Sequence, residues 1–292
     1  MSLLVKNVNK SFGTKKVVDN LSFELNKPGV FGLLGTNGAG KTTSIRMILG
    51  IIKKDSGEIS FNGKSVTRKN VNFGYLPEER GLYPKSKIYD QLMYFANLKG
   101  MSKVDGDKAI RYWLDKLKVS EYINYTAEKL SKGNQQKIQF ITAVLHNPDL
   151  IVLDEPFSGL DPVNTEILSN VMKELISEGK YIIMSSHQMN SVEEFCTDLI
   201  ILNRGKTVLK GNLKDIKSSY NSSKVLVETD DNIDSIIKKL KLNILSSNEG
   251  VYIIENSNKD LLKELCDNNI NVSKYEIVKP SLHEIFIEKV GE

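Results

Sequence analysis

Apolar and polar residues alternate around residues 4–8 and again over 18–25, and this period of two predicts two strands with one buried face. Residues 30–34 (VFGLL) form a short apolar run, a predicted buried strand ended by a glycine-rich segment, and residues 43–52 then take helical spacing. Residues 58–61 and 73–76 predict two further strands. From 87 to about 118 the pattern is helical, with Leu92, Phe95, Ala96, Trp113, Leu114 and Leu117 among its apolar positions; another helix is predicted from about 132 to 146. Strand and helix then alternate: strand 150–153, helix 162–178, strand 181–184, helix 188–196, strand 199–202. That rhythm predicts a mostly parallel sheet flanked by helices, with the preceding helical block as an inserted lobe.

The polar stretch SSYNSSK at 218–224 predicts a domain boundary. Beyond it the pattern predicts strand 225–227, helix 233–240, strand 251–254, helix 261–265, strand 275–278 and a last helix at 281–289. This is a small α+β domain without a second glycine-rich loop.

A length of 292 residues gives a prior of about two domains, and 40% hydrophobic with 26% charged residues is ordinary for a soluble globular protein. No stretch approaches the roughly 20 consecutive apolar residues of a spanning helix, and the opening MSLLVKNVNK lacks the apolar region of a signal peptide. The expectation is therefore a chain kept in the cytosol. Cys196 and Cys266 match no metal spacing and read as reduced thiols. A net charge of +4, from 40 basic and 36 acidic side chains, is too mild to point to nucleic acid.

Chemistry enters at residues 35–42, GTNGAGKT, which fit G-x-x-x-x-G-K-[ST] between an apolar strand and a helix. Glycines let such a loop curl until successive N–H groups face phosphate oxygens. The candidate nucleotide-binding residues here are Gly35, Asn37, Gly38, Ala39, Gly40, Lys41, Thr42 and Thr43. Lys41 supplies positive charge to the β and γ phosphates, and Thr42 an oxygen to Mg²⁺. A plain glycine-rich turn would explain the glycines, but not a lysine and a threonine at the helix start.

The run LIVLDEP at 150–156 is an apolar strand ending in two carboxylates. A buried parallel strand delivers its last residues to the carboxyl edge of the sheet, where ligands bind. Asp154 is placed there to hold Mg²⁺ through water, and Glu155 to orient and polarise the attacking water.

Around these motifs stand LSKGNQQ at 130–136, SGLD at 158–161 and His187. Together they resemble the ABC-type ATPases, whose P-loop, signature sequence, acidic strand, D-loop and switch histidine follow in that order. The resemblance covers residues 1 to about 215. It implies a fold of the α/β class: a P-loop NTPase core with a mostly parallel sheet, an antiparallel β subdomain and an inserted helical lobe at about 79–147. The ATPase domain would run from 1 to 217, and a small α+β accessory domain from 224 to 292.

The resemblance also implies ATP and Mg²⁺ as cofactors, and a head-to-tail pairing of two ATPase domains, each ATP lying between one P-loop and the other domain's signature. Ser131 reads directly as an N-cap on an amphipathic helix whose N-terminal amides suit an anion. Gly133 permits close approach of backbone to phosphate. A single P-loop and a single signature call for a second such domain, most simply another copy of the chain in two equivalent sites. By the same resemblance His187 meets the γ-phosphate, Asp161 reaches across the dimer, and Phe12 stacks on adenine.

Two positions depart from the family pattern. Glu78, in YLPEERGLYP, stands where the family has glutamine; an ionised glutamate offers acceptors only, and its expected partner is the metal. Lys132 and Asn134 replace the commoner glycine and glutamine of the signature, while Ser131 and Gly133 remain. The run PEERGLYPK resembles a bacterial exporter branch with a separate membrane subunit, and the ending PSLHEIFIEKV resembles a small domain on sodium-extrusion-type ATPases. The implied partner is a transmembrane permease, with the chain peripheral on the cytoplasmic face of the membrane. The alternative is a soluble ABC ATPase acting on nucleic acid or ribosomes. Such proteins carry two ATPase sets in one chain or long coiled-coil insertions, and this chain has neither.

Overall fold

The computed structural model describes residues 2–67, 69–79, 81–220, 224–255 and 260–291. The chain divides into two compact units, Met1–Leu213 with Lys289–Glu292, and Lys214–Glu288.

Two sheets build the first unit. One is antiparallel, in the order β2-β1-β4-β5, from β1 (Leu3–Phe12), β2 (Lys15–Leu25), β4 (Ser56–Phe61) and β5 (Lys64–Ser65). The other has six strands, β3 (Gly29–Gly35), β6 (Phe73–Leu76), β7 (Leu150–Asp154), β8 (Tyr181–Ser185), β9 (Cys196–Asn203) and β10 (Lys206–Asn212), in the order β10-β9-β3-β8-β7-β6. All its neighbours are parallel except the β9–β10 hairpin. Strands β3, β7 and β8 are buried at every residue, which is why they read as continuous apolar runs. The sheets share one core: Phe23 of β2 stacks on Phe31 of β3 at 4.3 Å, and Phe61 of β4 meets the edge of Tyr181 of β8 at 5.5 Å. Parallel pairing puts the ends of β3, β6, β7 and β8 on one edge.

Helix α1 (Lys41–Ile48) follows β3, α4 (Lys132–Val144) precedes β7, and α5 (Pro162–Ser177) and α6 (Met189–Phe195) frame β8. The inserted lobe is α2 (Ile88–Leu98) and α3 (Lys103–Lys116), joined to α4 through short 3-10 turns at 120–122 and 127–129. Ile88, Leu92 and Ala96 of α2 and Ile110 and Leu114 of α3 are buried between them. Gly106 lets the helices close up, since a Cβ there would lie 3.2 Å from Ala96 Cβ and Met93 Sδ.

His146, just beyond α4, bonds through Nε2 to Phe73 O at 3.0 Å, while its Nδ1 is buried with no hydrogen-bond partner. Burial, with help from the nearby Lys99 charge, lowers its pKa to about 4. The unfolded chain therefore binds more protons between that value and about 6.5, so this stabilisation is complete above pH 6.5 and fades as pH falls toward 4. His146→Gln keeps a donor for Phe73 O and does not titrate. Urea unfolding at pH 7 and pH 5 should show the wild type losing about 1 to 2 kcal/mol more than the variant across that interval; equal losses would exclude His146 as the group responsible.

In the second unit, α7 (Leu213–Ser219) leads to β11 (Lys224–Thr229), and β12 (Asn243–Asn248), β13 (Val251–Glu255) and β14 (Val272–Val278) complete an antiparallel sheet in the order β12-β13-β11-β14. Helices α8 (Asp234–Lys239) and α9 (Leu261–Asp267) cover one face, with Ile236, Ile237, Leu261 and Leu265 against Val225, Val227 and Ile254. Helix α10 (Leu282–Gly291) starts with reciprocal caps between Ser281 and Glu284. Lys224 Nζ, 2.7 Å from Glu284, and the Ser281 amide hold that carboxyl down at about 2.

Four elements escape the sequence pattern. The β5 bridge is two residues long, and β10 is a partly exposed edge strand with Gly211 inside it. All six residues of β12 are exposed and uncharged, so no alternation marks it. Helix α7 runs into the polar stretch read as a boundary at 218–224, of which 221–223 lie outside the described residues. Helix α1 starts at Lys41, two residues before its apolar spacing becomes regular.

Candidate active site

The loop between β3 and α1 is held open by its backbone. Gly40 caps α1 with φ 102°, and a Cβ there would fall 2.6 Å from Val17 O. Gly40 offers no side-chain acceptor, so no cap occupies the first amides of α1, and they remain directed at an incoming anion. At Gly35 a Cβ would meet Leu202 O at 2.5 Å, whereas Gly38 faces open space. Lys41 is nearly buried and folds over the loop, donating to Gly35 O at 2.8 Å and Thr36 O at 3.3 Å.

Across the sheet edge, Thr42 Oγ1 donates to Asp154 Oδ2 at 3.1 Å, and Ser185 Oγ donates to Asp154 Oδ1. Ser185 thus anchors the first carboxylate from the neighbouring strand β8. Glu155 follows with φ 54°, a left-handed backbone that costs a non-glycine residue about 1–2 kcal/mol and turns its side chain out of the strand direction. Two interactions hold that turn. Glu155 N donates to Ser185 O at 3.1 Å, and Gln136 Nε2 donates to the carbonyls of Glu155 (3.3 Å) and Pro156 (3.1 Å). Glu155 is 5% exposed, and its Oε2 lies 2.8 Å from Nδ1 of the exposed His187. Thr42, Asp154, Ser185, Glu155 and His187 therefore form one connected chain of contacts.

A second cluster surrounds the start of α4. Ser131 is an exposed N-cap whose Oγ accepts from Asn134 N at 3.2 Å, leaving the hydroxyl hydrogen available to an acceptor outside the chain. Gly133 has ordinary helical backbone, and a Cβ there would sit at normal contact distance, 3.5 Å, from Asn164 Nδ2, Gly159 O and Leu160 Cδ2. Packing within the chain therefore does not require a glycine at this position. Asp161 caps α5, accepting from Asn164 N at 2.9 Å and Asn164 Nδ2 at 2.7 Å; the backbone bond from Asn164 leads in holding its carboxyl below the usual range.

Phe12 ends β1 as a half-exposed ring, with Lys10 Nζ 5.3 Å from its centroid. Glu78 is exposed two residues past β6, whose ladder with β7 ends at Leu76↔Leu153. Arg80, two positions further in the run PEERGLYPK, lies outside the described residues. No hydrogen bond among the described residues joins Ser131, Asp161 or Phe12 to the loop.

Three contributors have no role assigned by the motifs: Ser185, Gln136 and, on the same face of α4, Gln139, whose amide nitrogen donates to Pro77 O at 3.0 Å and Glu79 O at 2.9 Å. The signal for the glutamines was present, since both are polar residues on the buried side of a helix, where an unpaired amide would be costly. Ser185 carried none, because its role exists only through the β7–β8 register.

No cluster of three or more His, Cys, Asp or Glu able to hold a metal occurs among the described residues. Thr42 Oγ1 and Asp154 Oδ2 still form a hard oxygen pair that fits Mg²⁺, an ion that commonly takes its remaining ligands from phosphate and water.

This arrangement of loop, acidic strand and capped helix agrees with the comparisons with known proteins. The ABC transporter family model matches residues 18–158, and the model described as "ATP-binding protein DrrA1-3-like, C-terminal domain" matches residues 211–290. The chain belongs to the ATP-binding proteins of ABC transporters. It is the subunit of such a transporter that binds and hydrolyses ATP. It is 46% identical over 99% of its length to the uncharacterized ABC transporter ATP-binding protein YhaQ of Bacillus subtilis (strain 168), covering 98% of that protein. It is 28% identical, over 99% of its own length and 98% of the relative's, to the linearmycin resistance ATP-binding protein LnrL of the same organism. A solved structure of the ATP-binding subunit of an ABC transporter superposes with a TM-score of 0.69 at 30% identity, over 75% of this chain and 93% of that one. No helix among the described residues is long and apolar enough to cross a membrane.

Proposed function

We propose that two copies of this chain close head to tail around two ATP molecules and drive a separate transmembrane permease, exporting its substrate from the cytoplasmic face of the membrane. The observation that carries this is the start of α4: an exposed serine cap, no acidic residue in the first turn, and a glycine that no contact within the chain requires. Such an end suits an anion brought by a second molecule. Ser131 and Gly133 would receive the γ-phosphate held by the other copy's loop, with that copy's Asp161 bordering the contact.

Within one chain, the amides of Asn37 to Thr43 and the Lys41 ammonium bind and orient the phosphates, and Phe12 offers its exposed face to adenine. Thr42 and Asp154 would hold Mg²⁺, directly or through water, with Glu78 facing the same ion from the next strand end. Bound MgATP supplies the phosphoryl group and the charge that draws electrons toward the leaving oxygen. Glu155 takes the proton of the attacking water; with His187 at Oε2, that water would approach Oε1. His187 Nε2 would face the γ-phosphate.

The ATPase domain is read as 1–217, with its helical lobe at about 79–147, and the accessory α+β domain as 224–292; helix α7, which the first boundary would divide, falls from Lys214 onward in the second compact unit. Export is supported by the likeness of PEERGLYPK and the C-terminal region to exporter ATPases, and by a relative matched over nearly its whole length that is named for linearmycin resistance. Nucleic acid is not expected as a partner, because the net charge of +4 is small. Expressed with the permease encoded beside it, the chain should co-purify and hydrolyse ATP at an altered rate. Separate elution with unaltered hydrolysis would count against the assignment.

A further inference from the structure

Gln139 is 2% exposed on the side of α4 that faces the loop after β6. Its amide nitrogen donates to Pro77 O at 3.0 Å and Glu79 O at 2.9 Å, gripping the carbonyls on either side of Glu78. Two acceptors at that place require the NH₂ group rather than the amide oxygen, which fixes the orientation of the side chain. Three residues earlier, on the same face of the helix, Gln136 grips the carbonyls of Glu155 and Pro156. A single helix therefore holds two loops, at the ends of the paired strands β6 and β7, by their backbones.

We infer that Gln139 is a positioning residue for Glu78, holding the backbone on both sides of it from the helix that carries Ser131 at its start. The inference rests on the reading above that Glu78 faces the metal. It explains how a carboxylate can stand where the family has glutamine. An exposed glutamate is free to swing, and two fixed carbonyls confine its backbone and so limit the directions its side chain can take.

The test compares Gln139→Met, Glu78→Ala and the double variant in ATPase assays across Mg²⁺ concentrations. Methionine keeps the length of the side chain but donates nothing. Gln139→Met should lower kcat about fivefold and raise the Mg²⁺ needed for half-maximal rate by a similar factor, with the KM for ATP within about twofold. In the Glu78→Ala background it should add nothing. Amide hydrogen exchange should rise in peptides covering Glu78 and Glu79 and stay unchanged at 155–158, a selectivity that general loosening would not produce. If Gln139→Met does not fold, Gln139→Asn, which withdraws the donors by one methylene, carries the same comparison. Effects that multiply fully in the double variant, or unchanged exchange at Glu78 and Glu79, would overturn the inference. Glu78→Ala with normal kcat and Mg²⁺ dependence would instead remove the metal role of Glu78, and the exchange measurement would still decide whether Gln139 holds the loop.

Discussion

Replacing Glu155 by Gln should cut steady-state phosphate release by about 10²- to 10⁴-fold, the range lost with a general base, while ATP binding persists. The substitution is well isolated by the structure. The left-handed turn at Glu155 is fixed through its own main chain, by Ser185 O and the Gln136 side-chain amide, and a glutamine leaves both contacts in place. Its side-chain oxygen can still accept from His187 Nδ1, now 2.8 Å from the carboxylate, but it cannot take a proton from water. With phosphate contacts intact and turnover blocked, ATP should hold two chains together. Light scattering with ATP and Mg²⁺ should then report a dimer that disappears when nucleotide is removed. A variant that stays monomeric and hydrolyses at the original rate would show that the base lies elsewhere.

The parts of this site legible in the sequence are those whose chemistry is local. Strand β3, the loop and α1 are contiguous, so residues 35–42 announce both the phosphate cradle and the lysine over it. Buried strands β7 and β8 were equally plain, because a strand covered on both faces is apolar throughout. What stayed hidden depends on register and on side chains reaching across the fold. Ser185 bonds Asp154 only because β7 and β8 pair in parallel, and 31 positions separate them along the chain. Gln136 and Gln139 look like interruptions of an apolar helix face until the carbonyls they satisfy are located. The exposed strand β12 carries no pattern because neither of its faces is buried. The contact of His187 Nδ1 with Glu155 Oε2 is equally invisible in the sequence, since it depends on how the segments after β7 and β8 approach one another.

Lys41→Ala should produce the opposite defect, failing at binding rather than at turnover. The Lys41 ammonium already donates to Gly35 O and Thr36 O, so its charge is poised over the loop before any phosphate arrives. Charge-assisted hydrogen bonds of this kind contribute about 1.5–3 kcal/mol, so a fluorescent ATP analogue should bind about 10- to 150-fold more weakly. The fold should tolerate the change, since the loop carbonyls can turn to water and the glycine geometry at Gly35 and Gly40 does not depend on the lysine. Combining the two substitutions separates the roles. If Lys41 serves binding and Glu155 the chemical step, Lys41→Ala should dissolve the ATP-held dimer of Glu155→Gln at ATP concentrations that saturate the single variant. The dimer should return only at proportionally higher ATP. Wild-type affinity of Lys41→Ala for the analogue, or a double variant that dimerises as readily as Glu155→Gln, would show that the phosphates are held by the loop amides alone.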